Sequence, residues 1–144
     1  MINHDTVELL KECNAGIKMG VNSIDEVLDK VKDEKLKTIL EKSKENHQNL
    51  GSETHEMLNK IDEEGKEPNL MAQGMSWLKT NVMLAMDHTD KVIADLITDG
   101  CDMGTKSLNK YLNQYEAASE DAKNIAKRLI KLEDDLAADI RSYL

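Results

Sequence analysis

Apolar residues recur along the chain at alternating steps of three and four, the spacing that gathers side chains on one face of an α-helix. In the first such run Leu10, Ile17, Val21, Ile24, Leu28 and Val31 form a seam, with Asn14 at the one step that is not apolar. Asp5, followed by Glu8, is predicted to cap the start of this helix, and Asp33 to break it and cap the next. The second run is Leu36, Leu40, Ser43, His47, Leu50, Thr54, Met57 and Ile61; beyond it Gly65 and then Pro68 are stop signals. So short a link between the two runs implies a hairpin. The stretch from Lys66 to Leu78 is less regular. A third helix is predicted from about Asn81 to Ala117. Ser119 caps a fourth, which carries Ala122, Ile125, Leu129, Leu132, Leu136, Ile140 and Tyr143 on one face.

A second pattern overlies the first. Gly16, Met19, Gly20 and Ser23 reappear as Gly100, Met103, Gly104 and Ser107, and the same offset of 84 carries Ile24 onto Leu108, Leu28 onto Leu112 and Val31 onto Tyr115. The two hairpins are therefore read as an internal repeat. A glycine within a helix costs roughly 1 kcal/mol relative to alanine, and the expected compensation is a flat strip that lets another helix approach. Helices one and three are predicted to cross there, Gly16 and Gly20 near Gly100 and Gly104.

Composition narrows the picture further. The chain has 144 residues, 33% of them charged, with one Pro and no Phe. This suits one all-α domain, 1–144, with a core large enough to need no disulfide or structural metal. A net charge of −9, with Lys interleaved among Asp and Glu, repels phosphate backbones. The aromatic residues Trp77, Tyr111, Tyr115 and Tyr143 are too few for a base-stacking platform, so nucleic acid is excluded as a partner. No basic start followed by an apolar run marks a signal peptide, and no stretch is long enough to span a membrane. Cys13 and Cys101 lack CxxC spacing and read as small buried residues in a reducing, cytoplasmic setting.

Two related helical hairpins joined by a long connector resemble the ferritin-like superfamily, in particular its small bacterial members of unassigned function. On that resemblance hairpin one spans 5–64, a crossover 65–80 and hairpin two 81–143, with helices two and three parallel. The resemblance also implies a di-iron centre, built from one Glu on each of helices one and three and Glu-x-x-His on helices two and four. The sequence departs from that pattern: Glu45 is followed at the third position by Gln48, Glu53 by Glu56, Glu133 by Leu136, and Lys44 precedes His47. Only His47 and Glu133 fall near ligand positions of the family, and they are the candidate metal residues. A buried polar residue that fixes helix register accounts for His47, and for Asn14, at less chemical cost. Lys44 is expected to neutralise Glu133. No cofactor is expected.

Three further groups carry weaker signals. His88, Asp95, Asp99 and Asp102 share a helical face that reads as a solvated acidic stripe, and Glu12 beside it would favour cation binding. Met71, Met75, Met83 and Met86 flank Trp77 around the crossover, where they read as packing. Nothing resembles a catalytic triad, a phosphate-binding loop or a zinc framework. The reading that results is a non-catalytic bundle serving as a cytoplasmic interaction or structural protein, its partner a second copy of the chain or another protein. The alternative is a metal-binding protein or oxidoreductase with a noncanonical site.

Overall fold

The computed structural model of the chain describes residues 3–61 and 89–144. Among them are four α-helices and no strand: α1 at His4–Leu28, α2 at Glu34–Lys60, α3 at Asp90–Gln114 and α4 at Glu120–Asp139, followed by a 3-10 turn at Arg141–Tyr143. Each start is capped by a side-chain oxygen that accepts from a first-turn N–H: Asn3 from Thr6, Asp33 from Lys35, Thr89 from Val92 and Ser119 from Ala122. Asp33 and Ser119 were legible as caps; Asp5 is not one. The Asp5 carboxylate accepts instead from the Ala117 N–H, and Asn3 takes the capping position. α3 stops at Gln114, short of Ala117, because the turn that follows is held by the start of α1. The expected third-helix start at Asn81, the crossover at 65–80, the stop signals and the Met/Trp group lie outside the described residues.

The core forms two apolar clusters. One joins Ile24 and Val27 of α1, Leu36 and Leu40 of α2, Ile93 and Ile97 of α3, and Leu136 with the following Ile140. The other joins Leu9 and Leu10, Leu58, Leu108, and Ala122 with Ile125. The first cluster thus holds the end of α1, the starts of α2 and α3 and the end of α4, and the second holds the opposite ends. α1 and α4 therefore run one way, α2 and α3 the other. Hydrogen bonds at both ends agree. Asp90, opening α3, accepts from Lys32 N–H and Asp33 N–H just before α2, both at 2.9 Å. At the other end Thr6 Oγ1 accepts from Ser119 N–H at 2.8 Å.

The buried face of α1 is broader than a seam, because this helix touches all three others. Leu9, Cys13 and Val27 join the core, whereas Val21, Leu28 and Val31 are only half-buried. On α2 the buried residue near the C-terminus is Leu58, and Met57 packs at its edge.

Buried positions recur between the hairpins. At the offset of 84, Leu9, Leu10, Cys13, Ile17 and Ile24 correspond to Ile93, Ala94, Ile97, Cys101 and Leu108. At an offset of 86, Leu36, Leu40, Ser43, His47 and Leu50 correspond to Ala122, Ala126, Leu129, Glu133 and Leu136. The end contacts obey the same rule. Asp33 N–H to Asp90 and Ser119 N–H to Thr6 are the same hydrogen bond made once in each direction.

Candidate functional site

Between the two apolar clusters lies a polar layer. The α2 face that buries Leu36 and Leu40 carries on through Ser43 to His47, which is fully buried. The α4 face that buries Ile125 and Leu129 carries on to Glu133, which is 9% exposed. The two side chains meet, with His47 Nε2 2.6 Å from Glu133 Oε1. His47 Nδ1 lies 2.7 Å from the Ser43 carbonyl oxygen. A carbonyl only accepts, so Nδ1 carries a proton and donates it, and the proton between Nε2 and Oε1 completes the ring's bonding. Burial pulls the His47 pKa down, but the hydrogen bond and charge of Glu133, with the Ser43 carbonyl, outweigh it and hold the imidazole above its ordinary value.

α3 supplies the third group. The Cys101 thiol is buried and donates to Glu133; burial, then the Glu133 charge and this bond, push it far above the ordinary thiol range. Cys13, in the second cluster, is pushed up to about 12, chiefly by burial and then by Glu12. Neither is a thiolate nucleophile near neutral pH.

α1 supplies the space. A Cβ placed on Gly20 would lie 2.9 Å from His47 Cδ2 and 3.1 Å from Nε2, whereas one on Gly104 would sit 3.5 Å from Glu133 Oε2. Gly20 and Gly104 therefore flank one pair of side chains. The four glycines do not form the single crossing strip expected of them: a Cβ on Gly16 would meet Leu129 at 3.6 Å, and Gly100 faces open space. Their spacing was visible in the sequence, but what it accommodates was not. The roles of Cys101 and of the Ser43 carbonyl had no sequence signal.

The candidate metal residues are thus adjacent, but the rest of a metal centre does not gather around them. Among the described residues no three or more His, Cys, Asp or Glu side chains are placed to hold a metal ion. Among the described residues the di-iron ligand set implied by the family resemblance is not assembled. Lys44 does not neutralise Glu133 either. Its ammonium pairs with Asp25 on α1, near the surface, and His47 is the group that meets the carboxylate.

Asn14 is buried, and among the described residues its Nδ2 meets no hydrogen-bond partner, nor does Oγ1 of Thr98, its counterpart at offset 84. Asp95, Asp99 and Asp102 are exposed on α3, where partial burial and then repulsion from Asp95 and Asp102 raise the Asp99 carboxyl. Glu12 does not join them. It accepts from the Tyr111 hydroxyl, which with burial pushes that phenol up to about 12. His88 lies outside the described residues. No described helix is long and apolar enough to cross a membrane.

Comparison with protein-family models, with curated proteins and with solved structures yields no match.

Proposed function

We propose that this chain is a non-catalytic, ferritin-like bundle of two copies of one helical hairpin, acting in the cytoplasm as an interaction or structural protein and associating with itself. The observation that carries the reading is the closed bonding of the polar layer. Both His47 nitrogens are engaged, one by the Ser43 carbonyl and one by Glu133, and the same carboxylate accepts a hydrogen bond from the protonated Cys101 thiol. A metal would have to displace both the Glu133 contact and a thiol proton that burial holds in place. The parallel course of α2 and α3, and the recurrence of buried positions between the hairpins, support the ferritin-like path and the duplicated unit.

A second reading, metal binding or redox chemistry at His47 and Glu133, is favoured by their adjacency alone. Anaerobic titration with ferrous iron and with zinc, followed by elemental analysis and absorption spectra in air, separates the two. Well under one metal per chain is expected, with no oxo-bridged absorption. Two tightly held irons per chain, lost in His47→Ala, would replace the proposal with the second reading.

A further inference from the structure

The inner faces of the two hairpins bury corresponding positions, so apolar burial by itself drives like and unlike hairpins together. Hydrophobic burial is non-directional. Some corresponding positions hold side chains of similar size, such as Leu50 and Leu136 or Ile24 and Leu108, and others do not, such as Leu36 and Ala122 or Leu40 and Ala126. The size mismatches at the unlike positions oppose a like-with-like association but can be relieved in part by repacking, which a buried unpaired charge cannot.

His47 and Glu133 are equivalent positions that touch each other. Equivalent positions meet only on the pseudo-twofold axis relating the two halves. In any like-with-like association of the same geometry, the axial residue therefore faces its own copy. Two His47 rings, each with Nδ1 committed to the Ser43 carbonyl, would aim Nε2 at Nε2 and share at most one proton, burying an uncompensated positive charge. Two Glu133 carboxylates would share one proton and bury a negative charge, or take up a second. Only the unlike pair closes with one shared proton and no net charge. Removing one partner of a buried pair of this kind is strongly destabilising, because the other is left buried and uncompensated. Gly20 leaves little more than the imidazole's own room, so the layer cannot readily relax around a mismatch.

We infer that the His47–Glu133 pair is a recognition element of the bundle, favouring hairpin two over another hairpin one as the partner of hairpin one. It rests on the two-hairpin reading above and adds the rule by which the hairpins choose each other. The partner it fits is hairpin two, from the same chain or from a second copy, and specificity comes from the penalty on the wrong pairing.

Three variants test it: His47→Glu, which puts Glu at both axial positions, Glu133→His, which puts His at both, and the double exchange. Each single variant alone should melt about 10 °C or more below the wild type, and the double exchange should recover at least half of that loss. Isotopically labelled His47→Glu chain, unfolded and refolded together with unlabelled Glu133→His chain, offers complementary axial residues only between chains. Native mass spectrometry should then show a one-to-one mixed dimer whose melting approaches the wild type. The mixture stays informative even if neither single variant folds alone. Single variants as stable as the wild type, a double exchange no better than the singles, or a mixture containing only separate chains would each overturn the inference. Metal uptake by the wild-type chain would defeat the proposed function and leave these outcomes unchanged.

Discussion

Gly20 and Gly104 occupy equivalent positions beside the same pair, yet they differ in tolerance. At Gly20 an added Cβ would press on an imidazole fixed by hydrogen bonds at both nitrogens, 2.9 Å away, and a ring so held cannot swing aside. Gly20→Ala should destabilise the protein by about 1–3 kcal/mol despite alanine's better helix propensity. At Gly104 the nearest atom is a carboxylate oxygen at 3.5 Å, an ordinary contact, and at Gly100 there is nothing within 4 Å. Gly104→Ala and Gly100→Ala should each stabilise by up to about 1 kcal/mol. Urea unfolding of the three variants reads both signs; equal effects at Gly20 and Gly104 would show that the ring does not set the limit.

At the scale of elements, each hairpin's turn is held by the first residues of the other hairpin. Asp90 takes two backbone N–H groups from the α1–α2 turn. Asn3, Asp5 and Thr6 hold the α3–α4 turn through the Ala117 carbonyl, the Ala117 N–H and the Ser119 N–H. These bonds set how far each helix slides along its neighbour, which lateral apolar contact specifies only loosely. Asp90→Ala should cost about 1–2 kcal/mol, since it leaves two N–H groups without their acceptor. Asp90→Asn keeps an acceptor oxygen and should lose less. Thermal unfolding of the two variants makes the comparison, and an Asp90→Ala chain as stable as the wild type would assign the turn to packing alone.

For the whole molecule, stability is coupled to pH through the polar layer. Among the described residues His47 faces Glu133 from α4, the Ser43 carbonyl on its own helix and, through Glu133, the Cys101 thiol from α3, with Gly20 of α1 against its ring. The folded His47 pKa is raised above its ordinary value, about 6.5 in an unfolded chain. The stability that the imidazolium contributes is therefore fully present below pH 6.5 and is lost as the pH rises through the raised folded value. Urea midpoints should fall across that window in the wild type. The fall should flatten in His47→Gln, which keeps an amide donor but cannot titrate. A wild-type profile that rises over the same window would reverse the assigned charge of the pair.

Much of the architecture follows from the sequence alone, because helical periodicity and capping are local. The three- and four-step spacing marks four helices, Asp33 and Ser119 mark two of their starts, and the shared glycine pattern points to the correspondence between the halves. His47 and Glu133 stand out as polar residues on apolar faces. What the tertiary structure decided is what those residues meet. Hydrogen bonding depends on groups distant in the chain, so the sequence could not show that His47, not Lys44, neutralises Glu133, that Cys101 donates to the same carboxylate, or that Asn3 displaces Asp5 as a cap while Asp5 holds Ala117. Nor could it show which glycine is crowded, since that is set by an imidazole from α2 lying against α1. Local spacing specifies which face is buried; only packing brings a histidine and a glutamate from separate hairpins into contact.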